Sequence, residues 1–133
     1  MGDPETEVVM PLLQTDLVAL LAAMYNGTLA DANISFDERS CATVMAVSGG
    51  YPGNYQKNLP VNGLADCCIN NDSMVFHAGT KQVGDAVVTN GGRVLAVTSY
   101  GNTLAEAVEK SNNILQKISF EGMYFRRDIG YEF

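Results

Sequence analysis

Apolar residues in the first 27 positions recur with helical spacing and predict two short helices. The first stripe consists of Val8, Val9, Leu12 and Leu13, and the second consists of Leu17, Leu20, Leu21 and Met24. Pro11 lacks an amide hydrogen and would clash with the preceding turn, so we expect a kink or break near it.

Residues at the ends of these stripes support the same two helices. Asp3 suits a helix cap, Pro4 suits the first helical position, and Glu5 favours the positive end of the helix dipole. Residues 15–16 (Thr-Asp) offer a new cap after the break, and residues 26–27 (Asn-Gly) predict the end of the second helix.

From about residue 33 the pattern changes to short apolar runs rich in small and β-branched residues, which favour strands. The predicted strands are residues 34–36, 40–48, 74–77, 86–89 and 94–98. We expect a turn near residues 84–85 to join the third and fourth of these strands. The spacing predicts a small antiparallel meander.

A last helix is predicted from about Leu104. Thr103 and Glu106 form a capping box, in which each side chain accepts a hydrogen bond from a backbone amide at the helix start. Its apolar face consists of Leu104, Ala107, Val108, Ile114, Leu115 and Ile118. The order of helices, strands and helix predicts an α+β fold, with a helical piece (1–27) followed by a β-rich unit (28–133).

The net negative charge of the chain argues against nucleic acid as a partner. The 133 residues carry a net charge of −7 with only eight Lys and Arg, whereas nucleic-acid binding needs a basic surface. Nucleic acid is therefore excluded as a partner, but a small anion in a local pocket of donors is not.

The cysteines and the chain start indicate the compartment. The three cysteines, Cys41, Cys67 and Cys68, are a poor disulfide framework, and with His77 they lack the spacing of a metal site. The first residues lack the basic and apolar regions of a signal peptide, and no segment reaches the roughly 18 apolar residues of a membrane span. We expect a cytoplasmic protein with reduced cysteines and no membrane partner.

Residues 49–53 (GGYPG) follow a predicted strand and are the first candidate site. Paired glycines allow backbone amides to approach a bound anion closely, but the spacing is neither that of a Walker loop nor that of a Rossmann loop. The pattern by itself favours a plain turn.

A second candidate pairs residues 77–80 (HAGT) with residues 90–93 (NGGR), which lie side by side if the intervening strands form a hairpin. His77 is the only histidine and a candidate general base, although no activated nucleophile is evident beside it. Arg93, next to glycines, is a candidate ligand for phosphate or carboxylate.

Residues 126–130 (RRDIG) are the third candidate site. The two arginines could bind phosphate, but the adjacent aspartate favours a local ion pair. These patterns together indicate an α+β domain with glycine-rich turns and identify no reaction.

Several segments in this order resemble the phosphoribosylamine–glycine ligases. Residues 2–5 (GDPE), with 8–11 (VVMP) after them, are similar to the family's Arg-Phe-Gly-Asp-Pro-Glu signature and its flanking residues. Further matches are residues 48–53 (SGGYPG), 75–80 (VFHAGT), 89–95 (TNGGRVL) and 120–130 (FEGMYFRRDIG). The resemblance covers essentially the whole chain.

The resemblance implies an ATP-grasp ligase that joins 5-phosphoribosylamine to glycine in the second step of purine synthesis. ATP would activate the glycine carboxylate as an acyl phosphate, which the amine then attacks. Mg²⁺ or Mn²⁺ on the nucleotide phosphates would supply charge stabilisation.

The resemblance also implies that this chain is a C-terminal fragment, inactive alone, because family members are several times longer. Residues 1–27 would end the ATP-grasp domain, and 28–133 would form the C-terminal domain that walls the active site. The family's metal ligands would lie upstream, so no metal ligand and no bound cofactor are expected in this chain. The residues expected to face phosphoribosylamine are Gly49, Gly50, Tyr51, Pro52 and Arg93, then His77 and Thr80, and those expected near the nucleotide are Asp3 and Glu5.

Two alternatives remain open. A stand-alone, non-catalytic module that binds a partner or a small anion would expose apolar faces on the N-terminal helices, and self-association could cover them. A biotinyl- or lipoyl-like carrier needs a lysine at a hairpin tip, for which Lys81 is the candidate.

Overall fold

The computed structural model describes residues 2–67 and 71–132 and confirms the α+β class. The elements in chain order are α1 (Thr6–Leu12), α2 (Leu17–Asn26), a 3₁₀ helix (Leu29–Asp31), β1 (Ser40–Val47), β2 (Ser73–His77), β3 (Thr80–Val83), β4 (Ala86–Thr89), β5 (Arg93–Gly101) and α3 (Leu104–Leu115). Cys41 is a free thiol, the Sγ of Cys67 lies 3.2 Å from the carbonyl oxygen of Gly63, and Cys68 lies outside the described residues.

The main sheet has three antiparallel strands in the order β1–β5–β2, so the last strand in the sequence is the central one. Residues 94–101 of β5 are all buried, because helices cover the two faces and strands cover the two edges. The main core cluster consists of Val44, Ala46, Val61, Cys67, Val94, Leu95, Val97, Ile114, Leu115, Ile118 and Phe120.

The predicted meander is wrong. β2 pairs with β5, and β4 pairs with β3, a strand that was not predicted because its residues (TKQV) are mostly polar and exposed. The turn at residues 84–85 does exist, but it joins β3 to β4, and Gly84 adopts a φ of +58° there. Residues 34–36 form no strand and contribute only an isolated bridge between Phe36 and Leu13.

Helix α3 packs on one face of the main sheet through the predicted apolar stripe. Thr103 accepts a hydrogen bond from the Glu106 amide (3.2 Å), whereas the Glu106 carboxylate accepts from the amide of Asn102 (2.8 Å) and not from that of Thr103. Ile118 lies beyond the helix end but is still buried.

Helix α1 packs on the opposite face of the sheet. The hydroxyl of Thr98 donates to the carbonyl of Glu7 (2.9 Å), and the Tyr100 hydroxyl donates to the carbonyl of Pro11. The predicted helix start at Asp3 and Pro4 is wrong: the helix begins at Thr6, and Asp3 is engaged elsewhere. The predicted break follows Pro11 directly, since α1 ends at Leu12. The division at residues 27–28 remains a prediction.

Helix α2 has both of its predicted ends but none of its residues is buried. Asp16 accepts a hydrogen bond from the amide of Ala19 (2.8 Å), and Gly27 ends the helix with a φ of +71°. Its exposed large apolar side chains are Val18, Leu21, Met24 and Tyr25. Among the described residues, no helix combines the length and apolar character needed to cross a bilayer.

Candidate functional site

Two glycines bring the second pair of predicted segments together. The Gly79 amide donates to the carbonyl of Arg93 (2.7 Å), and the Gly91 amide donates to the carbonyl of Gly79 (3.0 Å). A Cβ on Gly79 would overlap the Arg93 carbonyl oxygen and lie 2.7 Å from the Gly91 Cα. Only glycine fits at this contact, and the prediction that the two segments lie side by side is confirmed.

The loop of residues 49–53 is attached to the same place. The Ser48 amide donates to the Gly92 carbonyl (2.7 Å), and the Ser48 hydroxyl donates to the Gly91 carbonyl (2.9 Å). The ring of Tyr51 lies against Gly92, where a Cβ would overlap the ring carbons. The loop, with Gly49, Gly50 and Pro52, is therefore adjacent to the start of β5.

A β-bulge determines where Arg93 points. Ala46 pairs with Leu95 while the next residue, Val47, pairs with Arg93, so Val94 is an extra residue in β5. A bulge interrupts the alternation of side chains between the two faces of a sheet. Arg93 consequently reaches residues that precede α1.

Arg93 binds Asp3, which joins a predicted substrate ligand to a predicted nucleotide ligand. Its Nη2 donates to the Asp3 carboxylate (2.8 Å), and its Nη1 donates to the Asp3 carbonyl (2.9 Å). The two side chains are 35% and 59% exposed, so solvent reaches this pair.

His77 and Thr80 form a separate pair at the end of β2. Nδ1 of His77 lies 2.9 Å from the Thr80 hydroxyl oxygen, and His77 is exposed. Neither residue forms a hydrogen bond to the Arg93 side chain in the described part of the chain. Cys41 lies at the far end of β1, opposite Tyr100, and burial raises the pKa of its thiol to about 11. It is thus neither close to His77 nor activated.

The predicted nucleotide-side residues do not form a metal site. Glu5 folds back toward Gly2, where a Cβ would lie 2.5 Å from its carboxylate, and Asp3 is paired with Arg93. Across residues 2–67 and 71–132, no group of three or more His, Cys, Asp or Glu side chains is arranged to hold a metal ion.

Two cavities border the glycine-rich loop. One of about 420 Å³ contacts Gly49, Tyr55 and Glu121, and another of about 340 Å³ lies between Pro4, Tyr51 and aromatic residues of the C-terminal segment. Arg93, His77 and Thr80 line neither cavity. These three side chains therefore lie outside both of the cavities that border the loop.

The third predicted motif forms a local ion pair, as the adjacent aspartate suggested. Arg126 binds Asp128 through two contacts of 3.0 and 3.2 Å, and Arg127 lies over the ring of Phe125. Lys81 is the second residue of β3 and not a hairpin tip, because the turn falls at residues 84–85. The carrier hypothesis loses its candidate lysine.

Sequence patterns assigned no role to Ser48 and Gly79 individually, although both lie within candidate segments, and these two residues hold the start of β5 in place. A serine before a glycine pair is a weak signal, and the hairpin pattern predicted that the segments of Gly79 and Gly91 lie side by side without identifying the close contact between the two glycines.

Comparison with known proteins gives a consistent result. Residues 41–132 match the family described as phosphoribosylglycinamide synthetase, C domain. The chain is 46% identical over 131 residues to the bifunctional purine biosynthetic protein purD of Dictyostelium discoideum and 45% identical over 130 residues to phosphoribosylamine–glycine ligase of Vibrio cholerae. The fold matches a crystal structure of phosphoribosylamine–glycine ligase from Thermotoga maritima with a TM-score of 0.77 and 30% identity.

These matches cover nearly all of this chain but only part of each relative. The alignments span 98% of this chain in both sequence comparisons and 96% in the structural one. They span 16% of the Dictyostelium protein, 30% of the Vibrio protein and 31% of the Thermotoga chain.

Proposed function

Because the chain belongs to the phosphoribosylglycinamide synthetase C-domain family, we propose that it forms one wall of the active site of a ligase for purine biosynthesis. The whole enzyme would join 5-phosphoribosylamine to glycine with hydrolysis of ATP. The family match carries this proposal, and the relatives named phosphoribosylamine–glycine ligase support it. The proposal places the enzyme in the cytoplasm, for which the free thiol of Cys41 is suitable.

We assign the phosphoribosyl side of the cleft to Arg93 and the loop of residues 49–52. The guanidinium group of Arg93 is planar and presents several N–H donors in a geometry that suits phosphate. The Arg93 backbone is held by a hydrogen bond from the Gly79 amide and by pairing with Val47 in β1. The amides of Gly49 and Gly50 donate to no other group among the described residues, which leaves them available to an anion. His77 and Thr80 are assigned to the edge of this site.

ATP and Mg²⁺ or Mn²⁺ belong to the whole enzyme in this proposal. Asp3 and Glu5 are assigned to the boundary with the nucleotide, but the described residues do not fit a metal site. The metal would therefore require residues beyond those that the structure describes, and the isolated chain would be inactive.

Replacement of Arg93 by Ala tests the substrate assignment in a complete ligase that carries this domain. We expect the KM for phosphoribosylamine to rise about 10-fold or more, since a hydrogen bond to a charged group contributes roughly 1.5–3 kcal/mol. The KM for glycine should change little, and Arg126→Ala is the control because Arg126 pairs locally with Asp128. An unchanged KM for phosphoribosylamine would contradict the assignment.

Assays of the isolated chain test whether catalysis requires the remaining part of the ligase. ATP hydrolysis that responds to glycine should be absent with the chain alone and should appear when the remaining part of the ligase is added. Glycine-dependent hydrolysis by the isolated chain would overturn the proposal.

A second candidate function is a non-catalytic interaction module, which helix α2 favours. This helix carries no charged residue and exposes four large apolar side chains, and such a helix normally lies in an interface or a core. Self-association through α2 is the form of this proposal that the isolated chain can test.

A further inference from the structure

The ion pair between Arg93 and Asp3 is anchored on one side only. Arg93 lies in the central strand, and its carbonyl accepts a hydrogen bond from Gly79. Among the described residues, the backbone–backbone hydrogen bonds of residues 2–5 stay within positions 2–9, that is, within this segment and α1. Arg93 provides the polar contacts that hold Asp3 against the sheet.

We propose that Asp3 is an internal anion that occupies Arg93 until the phosphate group of a phosphate monoester displaces it. The proposal rests on the assignment of Arg93 to the substrate side of the cleft, and it gives Asp3 a different role from nucleotide binding. Displacement releases residues 2–5 from the sheet, so substrate binding is coupled to movement of the segment before α1.

The atoms engaged in the pair favour displacement over simultaneous binding. Both terminal nitrogens of Arg93 donate to Asp3, one to its carboxylate and one to its carbonyl. A phosphate that bound the same two nitrogens would meet the Asp3 carboxylate at close range, and two like charges at one cation repel each other. A phosphate dianion also offers more charge and more acceptors than a single carboxylate.

The pair is also weak enough to open. Solvent reaches both side chains, and exposed ion pairs contribute little to stability because water and salt screen them. The loop that carries Tyr51 does not depend on Asp3, since Ser48 attaches it to Gly91 and Gly92. The rest of the site therefore remains in place when Asp3 leaves.

Binding of ribose 5-phosphate to this chain tests the proposal. Titration calorimetry would compare the unmodified chain with Asp3→Asn, Arg93→Gln and the control Asp128→Asn, which breaks the comparable exposed pair at Arg126. We expect Asp3→Asn to tighten binding about threefold to fivefold, as expected for removal of a competing exposed ion pair. Arg93→Gln should abolish binding, and Asp128→Asn should leave it unchanged.

The backbone amide signals of residues 2–5 in NMR spectra provide a second measurement. In the unmodified chain they should shift on titration with ribose 5-phosphate, and in Asp3→Asn they should already lie near the shifted position. Loss of a purely structural ion pair would not tighten ligand binding.

The outcomes separate the inference from the proposed function. Binding that requires Arg93 but is unchanged or weakened in Asp3→Asn would overturn the displacement and leave the substrate assignment intact. Binding that does not depend on Arg93, or no binding in any variant, would overturn the assignment of Arg93 and the displacement with it.

Discussion

At the scale of single residues, glycines at main-chain contacts decide where the functional groups lie. Gly79 meets Gly91, Gly49 meets Gly122, and Gly92 lies under the ring of Tyr51. Each contact is too close for a Cβ, so a side chain would push apart two segments of the site. These segments can lie so close together because the glycines have no side chain, and hydrogen bonds then hold them there.

Replacement of Gly79 by Ala should destabilise the protein by about 2–3 kcal/mol, since the new methyl group would overlap backbone atoms that cannot rotate away. Urea unfolding measures the change in the free energy of unfolding. Gly84→Ala is the control: its turn has open space but a positive φ, so about 1 kcal/mol of backbone strain is expected. Equal losses in the two variants would show that the contact at Gly79 is not tight.

Residue-level features were predicted from the sequence where a single residue has a strong local effect. Pro11 and Gly27 mark the ends of α1 and α2 because of their own backbone chemistry. The pair of Arg93 with Asp3 was not predicted, since the partners are 90 positions apart and a one-residue bulge at Val94 directs the arginine. Local sequence patterns contain no signal for a contact between such distant residues or for the bulge.

At the scale of elements, an ionic cluster connects the segment before β1, the residue before β2, and α3. Arg39 binds Asp37 and Asp72, each at 2.8 Å, and stacks over the ring of Tyr100. Lys110 of α3 binds Glu106 (2.9 Å) and lies 3.5 Å from Asp72. The cluster joins charges from three places on the surface.

The cluster predicts loss of stability in acid. Hydrogen bonds from Arg39 lower the pKa of Asp37 from 3.8 to about 2. A lowered folded-state pKa means that the contribution of Asp37 is complete above about pH 4 and is lost as the pH falls toward 2. Urea unfolding between pH 5 and 2 should therefore show a smaller slope with pH for Asp37→Asn.

The control for this experiment is Glu38→Gln, which removes an exposed neighbouring carboxylate that forms no ion pair among the described residues. In this variant the free energy of unfolding should fall with pH as steeply as in the unmodified chain. A slope for Asp37→Asn equal to that of the unmodified chain would contradict the role of the Arg39 contact.

Helices and strands with a clear hydrophobic period were predicted correctly more often than the pairing between strands. The apolar runs of β1 and β5 and the capped stripe of α3 identified these elements. The polar strand β3 and the order β1–β5–β2 were not predicted, because strand order depends on contacts between distant segments that leave no local period.

At the scale of the whole molecule, an acidic protein exposes an uncharged, apolar helix surface. The net charge of −7 keeps copies of the chain apart, yet α2 has no charged side chain along its ten residues. Tyr25 is 92% exposed and Val18 is 73% exposed. We expect self-association at this helix.

The double variant Leu21→Gln with Tyr25→Gln tests this expectation. Sedimentation velocity should show concentration-dependent association of the unmodified chain and less association of the variant, because the apolar contact area is lost. The free energy of unfolding should change by less than about 0.5 kcal/mol, since both side chains are exposed.

Val83→Gln is the matched control, as Val83 is an exposed apolar residue on β3. It should leave association unchanged. A monomeric unmodified chain at all concentrations, or equal association of all three proteins, would remove the support for an interaction module.

The central position of β5 has a consequence for synthesis on the ribosome. Both β1 and β2 form their hydrogen bonds with this strand, and it is the last of the five to emerge. A nascent chain that ends before residue 93 therefore presents β1 and β2 without the strand they pair with. The long sequence separation between β1 and β5 also slows formation of their pairing. Chaperones that capture extended apolar segments should bind this protein during translation and release it once Gly101 has left the exit tunnel.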